Sequence, residues 1–138
     1  MIQDLFSMTA KVCLITGGSS GLGSYMAQGF LEAGAERVFI TGRSKDKLFK
    51  KADELSALGK GQCIGIPGDL SNLEGVQVLA DTISERESHL DVLVNNAGLG
   101  LGTQIQTMKA KAWDKCMDLN TRSPLFLTQA LLELLKAK

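Results

Sequence analysis

The chain has 138 residues, 44% of them hydrophobic, which is enough for one domain with a real core. Fifteen basic and fifteen acidic residues cancel to zero net charge at pH 7; this disfavours a nucleic-acid binder and gives no acidic or basic tail. No run approaches the ~18 consecutive apolar residues of a membrane span, and MIQDLFSM lacks the basic start of a signal peptide, so the chain reads as a soluble cytoplasmic domain.

Val12–Ile15 is a short apolar run that stops at Thr16-Gly17, the pattern of a buried strand. Leu22, Met26, Phe30 and Ala33 follow at helical spacing, and Gly34 sits where a helix would end. Arg37–Thr41 reads as a second strand closed by Gly42. Lys45–Leu58 reads as a helix with Leu48, Ala52, Leu55 and Leu58 on one stripe. Cys63–Ile66 gives a third strand before Pro67-Gly68. Ser71 is the expected N-cap of the next helix, with Glu74 completing a capping box and Leu73, Val76, Leu79, Ala80 and Ile83 on the apolar face. Asp91–Val94 is a fourth strand, ended by Asn95-Asn96-Ala97-Gly98. From about Thr107 to Lys136 the pattern is mostly helical, and PLFLTQALLELL is apolar on more than one face.

Strands alternating with helices of this length predict right-handed crossovers and an α/β fold, a doubly wound parallel sheet covered on both sides. No internal repeat or linker divides residues 1–138. Cys13, Cys63 and Cys116 are odd in number and far apart, which suits buried free thiols and no metal site. His89, in a polar connection beside Ser88, reads as a solvated surface residue.

The stretch LITGGSSGLG puts Gly17 to Gly23 between a strand and a helix. Amides at a helix start have no partner inside the helix, and the helix dipole adds partial positive charge there. Absent side chains let a pyrophosphate approach the backbone, so the turn reads as a phosphate seat, with hydroxyls from Ser19 and Ser20. The same glycines would also close an ordinary strand-to-helix turn.

Three further elements fall downstream: Asp69-Leu70 after the third strand, Asn95-Asn96-Ala97-Gly98 after the fourth, and Leu119-Asn120 within the long helix. With TGxxxGxG at Thr16–Gly23, this combination resembles the short-chain dehydrogenase/reductase family across essentially the whole chain. The resemblance implies a Rossmann-type fold, here the first four βα units of a seven-stranded sheet, and hydride exchange between a nicotinamide dinucleotide and an alcohol or ketone. It implies that Gly17, Ser19, Gly21, Leu22 and Gly23 line the pyrophosphate and nicotinamide ribose. Asp69 would bond the adenine amino group, with Leu70 against the ring. Asn96, Ala97 and Gly98 would face the adenosine side, while Asn95 ties neighbouring strands. LFSMTAKVCLITGG, DELSALG, HLDVLVNNAG and WDKCMDLN are further similar to the reductases of 3-oxoacyl thioesters of the rhamnolipid type. Trp113 and Cys116 belong to that likeness, though core packing accounts for both.

The end of the second strand separates the two nicotinamide dinucleotides. An acid there would favour a free ribose 2′-hydroxyl. Instead the sequence runs Thr41-Gly42-Arg43-Ser44, with no acid before Asp46. Arg43 can clamp a 2′-phosphate and Ser44 and Thr41 add donors, so NADP(H) is expected over NAD(H). Ser20 stands where phosphate-preferring relatives often carry a basic residue.

The family's catalysis uses an asparagine, a serine and a Tyr-xxx-Lys pair. Asn120 matches the asparagine, whose main-chain carbonyl holds a water in the proton relay. The only tyrosine is Tyr25, followed four residues on by Gly29, and Ser123 comes too early to be the family serine. The chain ends at Lys138, where a fifth strand would begin. It is therefore expected to be the cofactor-binding front half of an oxidoreductase, inactive by itself, with a homo-oligomer formed through the long helix 107–136. A non-catalytic nucleotide-binding or interaction module of the same fold is the alternative. Methyl transfer from S-adenosylmethionine is disfavoured, because it leaves NNAG and Asp69-Leu70 without a task.

Overall fold

The computed structural model describes all residues, Met1–Lys138. After a short helix α1 (Ile2–Leu5), the chain runs β1 (Val12–Ile15), α2 (Gly21–Glu32), β2 (Arg37–Gly42), α3 (Lys45–Ser56), β3 (Gln62–Pro67), α4 (Leu73–Arg86) and β4 (Val92–Val94). The four strands are parallel in the order β3-β2-β1-β4. Strand alternation divides the buried residues between two cores. Val12, Leu14 and Phe39 point to one face, where Val76, Leu79, Ala80 and Ile83 of α4 meet them. Cys13, Ile15, Val38 and Ile40 point to the other, under Ala27 and Leu31 of α2 and Leu48, Ala52 and Leu55 of α3. Helices on both faces explain why β1 is buried at every position and reads as an unbroken apolar run. β4 forms one edge of the sheet and is only half-buried.

The stripe expected on α2 is displaced by one position. Gly23, Ala27 and Leu31 are buried, Met26 and Phe30 flank the core, and Leu22 is exposed. Gly34, just beyond the end of α2, has a φ of +102°, which suits glycine. Asn72, not Ser71, caps α4. Its side chain accepts the Gly75 amide at 2.8 Å, while the Ser71 amide turns back to Asp69 Oδ1 at 2.9 Å. Two neighbouring turn-formers compete here, and the Asp69 turn takes Ser71.

The long helix expected over residues 107–136 is interrupted. A 3₁₀ turn (Ile105–Thr107) precedes α5 (Ala110–Met117), a π-helical turn (Asp118–Arg122), α6 (Ser123–Ala130) and α7 (Leu132–Lys136). Pro124 is the physical cause of the π-helical turn. It lacks the N–H that an α-helix would offer to the carbonyl of Asn120, and the ladder widens there, with the Ser123 amide reaching Asp118 O. Leu127 and Leu131 enter the core, whereas Leu125 and Leu132 stay exposed. The Leu90 amide donates to Leu134 O at 3.0 Å, fixing α7 beside the start of β4. No helix is long and apolar enough to cross a membrane.

His89 is not a solvated residue. Its side chain is 12% exposed and its Nε2 lies 3.2 Å from Asp91 Oδ2, yet the angle leaves that buried nitrogen without a hydrogen bond. The connection from α4 folds inward to reach β4, which carries the imidazole with it. Asp91 Oδ2 accepts the Val12 amide at 2.8 Å, joining the starts of β4 and β1.

Candidate functional site

The carboxyl ends of all four strands open into one cleft of about 340 Å³. β1 delivers Gly17, Ser19 and Ser20; β2 delivers Thr41, Gly42 and Arg43; β3 delivers Gly68, Asp69, Leu70 and Ser71. The turn after β4 adds Asn96 to Leu99, and Lys115 and Leu119 close the far wall. This is the edge of an open α/β sheet where ligands bind.

The glycine-rich turn is held from both sides. Gly17 N–H donates to Thr41 Oγ1 at 3.2 Å and Gly18 N–H to the Thr41 carbonyl at 3.0 Å. From the β4 side, Asn96 Nδ2 donates to the carbonyls of Thr16 and Gly17 at 3.1 and 3.2 Å. Gly17 itself has φ +68°. A Cβ on Gly23 would lie 2.4 Å from Gly17 O, so the helix start can sit this close only without a side chain. Ser20 is the extended N-cap of α2 and makes no side-chain cap bond. Ser24 is the first α2 residue whose amide finds a carbonyl, that of Ser20, so those of Gly21, Leu22 and Gly23 have no partner within the helix.

Thr16 ties the turn after β4 to the end of β1. Its buried hydroxyl accepts the amides of Asn96 and Ala97 at 3.0 and 2.9 Å. The expected role of Asn95 as the tie between strands therefore falls to Thr16 and Asn96. Asn95 reaches instead to Thr128 Oγ1 on α6, at 3.2 Å. Consecutive residues in an extended chain point opposite ways, so only one of the two asparagines can turn to β1.

The cleft's charges are Arg43 and Lys115 against Asp69. Hydrogen bonds from the backbone and side chain of Ser71 hold the Asp69 carboxyl below the usual carboxylate range, against a small opposing effect of burial and with help from Arg43. Asp69 is therefore an anion that already spends one oxygen on its own turn.

Of the expected site residues, Gly17, Ser19, Ser20, Arg43, Asp69, Leu70, Asn96, Ala97 and Gly98 line the cleft. Gly21, Leu22, Gly23, Ser44 and Asn120 do not. Gly23 lies beneath the turn, Leu22 faces solvent, and Ser44 is the N-cap of α3. Asn120 stands behind the wall, its side chain paired with the main chain of Leu99 through bonds of 2.7 and 2.8 Å. Sequence reasoning missed Gly68, Ser71, Leu99 and Lys115. Leu99 directly follows NNAG and was within reach of that motif; Lys115 carries no signal, because its direction depends on the rotation of α5. Core packing does not hold for Trp113, which is 56% exposed, or for Cys116, whose thiol hydrogen-bonds near Leu99. The widened turn after α5 leaves that helix against the loop and not in the core.

Known proteins resemble this chain in sequence and fold. The chain is 44% identical over 135 residues to the rhamnolipids biosynthesis 3-oxoacyl-[acyl-carrier-protein] reductase of Pseudomonas aeruginosa, covering 98% of this chain and 52% of that protein. The Pseudomonas aeruginosa RhlG/NADP active-site complex superposes with a TM-score of 0.89 at 43% identity, over 96% of this chain and 50% of that one. The L-sorbose reductase of Gluconobacter frateurii, in complex with NADPH and L-sorbose, gives 0.90 at 28% identity, over 96% and 50%. The chain thus spans about half the length of the relatives it matches. Since the short chain dehydrogenase family model also matches residues 11–138 in one continuous stretch, nearly the whole of this α/β unit, the chain belongs to the short-chain dehydrogenase family.

Proposed function

We propose that this chain binds NADP(H) in the four-strand cleft and serves an oxidoreductase that exchanges hydride with a ketone or alcohol. The observation that carries this reading is Arg43 at the end of β2, exposed in the cleft and with no carboxylate beside it on that strand. Its guanidinium suits a 2′-phosphate, which an acid at that position would repel. The crowding beneath the turn, where a Cβ on Gly23 would meet Gly17 O, fits a cradle that presents bare backbone to a pyrophosphate.

In this reading the unpartnered amides of Gly21, Leu22 and Gly23 and the hydroxyls of Ser19 and Ser20 hold the pyrophosphate. Arg43 and Ser44 hold the 2′-phosphate, Asp69 and Leu70 the adenine, and Asn96, Ala97 and Gly98 the adenosine side. When bound, the dinucleotide supplies or accepts the hydride. Asn120 serves through its main-chain carbonyl, which Pro124 deprives of an α-helical donor and leaves able to hold a water. We infer a 3-oxoacyl thioester as substrate class from the 44% identity to the rhamnolipid reductase. The exposed Leu125 and Leu132 favour a homo-oligomer through residues 107–136.

A nucleotide-binding module without hydride transfer is the second reading. It is favoured by the lining of the cleft, whose glycines, serine hydroxyls, Arg43 and Asp69 all suit a nucleotide. Titration with NADPH and NADH, followed by nicotinamide fluorescence, tests the binding reading. A chain that is folded by circular dichroism yet ignores both dinucleotides would sink it. NADPH oxidation by a 3-oxoacyl thioester, assayed with the full product of the reading frame, separates the oxidoreductase from the module.

A further inference from the structure

The Gly98-Leu99 turn forms part of the cleft wall, and a closed ring of hydrogen bonds holds it in place. The Leu99 amide donates to Asn120 Oδ1 at 2.7 Å, and Asn120 Nδ2 donates back to the Leu99 carbonyl at 2.8 Å. The same Nδ2 also donates to Cys116 Sγ at 3.3 Å, and the Cys116 thiol donates to the Leu99 carbonyl at 3.3 Å. A side-chain amide has two N–H groups and a carbonyl has two lone pairs, so the ring uses all four. A Cβ on Gly98 would lie 3.2 Å from Asn120 Oδ1, which leaves little slack between turn and helix. Lys115 and Leu119, on either side of Cys116 along the chain, both line the cleft.

We propose that Cys116 is a positioning residue of the nucleotide cleft, its sulfur closing the ring that fixes Leu99 against Asn120, so that removing or alkylating this sulfur loosens the wall and weakens nucleotide binding. An aliphatic side chain at 116 leaves one Asn120 N–H and one Leu99 lone pair without a protein partner. Serine keeps both a donor and an acceptor, on a shorter bond. The other two thiols do not compete for reagents. Cys13 and Cys63 are buried between sheet and helices, and burial pushes both up to about 12, Cys13 with a further rise from Asp91. Cys116 is only half-buried. N-ethylmaleimide adds across its double bond: the sulfur bonds to one alkene carbon, the other takes a proton, and nothing is oxidised. The S–H donor is thereby lost.

The nucleotide half of this proposal rests on the NADP(H) reading above; the loop half does not, and one experiment separates them. Amide hydrogen exchange at Leu99 and the NADPH dissociation constant are measured on the whole chain, for wild type, Cys116→Val, Cys116→Ser and the maleimide adduct. In Cys116→Val both rise by roughly three- to tenfold, the range expected for losing two weak sulfur hydrogen bonds. Cys116→Ser restores both, and bound NADPH slows the maleimide reaction at Cys116. Cys116→Ala takes the place of the valine variant if the latter does not fold. Unchanged Leu99 exchange in the aliphatic variant overturns the proposal. Faster exchange with unaltered NADPH affinity overturns its nucleotide half. If wild type binds no NADPH while Leu99 exchange responds, the ring stands and the dinucleotide reading falls.

Discussion

Thr16 and Asn96 are joined by two hydrogen bonds across 80 residues of sequence: the Asn96 amide donates to the Thr16 hydroxyl at 3.0 Å, and Asn96 Nδ2 donates to the Thr16 carbonyl at 3.1 Å. The Ala97 amide adds a third bond to the same hydroxyl. Together they fix the turn after β4 to the end of β1. Asn96 N–H has a second acceptor in Val94 O, but Ala97 N–H depends on Thr16 alone. Thr16→Val keeps the shape and removes the hydroxyl, leaving the Ala97 amide unpaired. A loss of about 1–3 kcal/mol is expected in urea unfolding. Thr16→Ser should stay within about 1 kcal/mol of wild type, since it keeps the acceptor. Equal losses in the two variants would mean that packing of the methyl group, not the hydroxyl, holds this junction.

Two glycines of α2, six residues apart, should respond oppositely to alanine. At Gly23 the added Cβ would meet Gly17 O at 2.4 Å and Asn96 Nδ2 at 2.6 Å, neither of which can retreat without opening the turn. Gly23→Ala is expected to cost about 1–3 kcal/mol, as overpacking does, and to weaken dinucleotide binding with it. At Gly29 nothing lies within 4 Å and the backbone is ordinary helix. Gly29→Ala should therefore stabilise the chain by about 0.5–1 kcal/mol through lower entropy of the unfolded state and better helix propensity. Thermal unfolding of the two variants side by side checks the contrast, and a loss at Gly29 would refute it.

The acid limb of stability should depend on Asp91. Burial pushes its carboxyl up, but the Val12 amide, His89, Lys11 and Lys138 together hold it below its ordinary value of 3.8. A carboxylate depressed in the folded state contributes stability that is complete above its unfolded pKa. That contribution is lost as pH falls through the lower folded value. Asp91→Asn keeps an acceptor for Val12 and removes the charge. Its midpoint temperature should be lower than wild type near neutrality, and should fall less steeply between about pH 4 and pH 2. Parallel curves for the two proteins in that window would remove Asp91 from the acid response.

The sheet and its phosphate turn were legible because their signals are local. Each strand is an apolar run closed by a turn-forming residue, glycine, proline or asparagine, and TGxxxGxG sits between the first such run and a helix. The junction of Thr16 with Asn96 was not legible, since only the neighbouring of β1 and β4 in the sheet brings them together. The helix over 107–136 was misread because its apolar residues keep helical spacing through Pro124. The proline shifts the phase of the ladder, and that shift turns Trp113 outward and sets Cys116 and Asn120 against Leu99. Asp69 and Arg43 were legible as strand-end residues. That Asp69 also closes a turn onto Ser71 follows from a competition between adjacent caps that spacing alone does not resolve.

Arg43 gives the sharpest test of the cofactor. It is exposed at the mouth of the cleft, so its cost in the free protein is small and its gain on binding depends on the charge it meets. A hydrogen bond to a charged group contributes about 1.5–3 kcal/mol, or roughly ten- to a hundredfold in affinity. NADPH carries a 2′-phosphate for Arg43 to meet, whereas NADH offers only a hydroxyl. Arg43→Ala is thus expected to raise the NADPH dissociation constant by about ten- to a hundredfold and to change that of NADH by less than about threefold. Arg43→Lys should recover only part of the loss, because a point charge replaces a two-pronged donor. Raised salt should erode the wild-type preference for NADPH and leave that of Arg43→Ala nearly constant. Equal affinities for NADPH and NADH in wild type, unmoved by Arg43→Ala, would assign the cleft to a nucleotide without a 2′-phosphate.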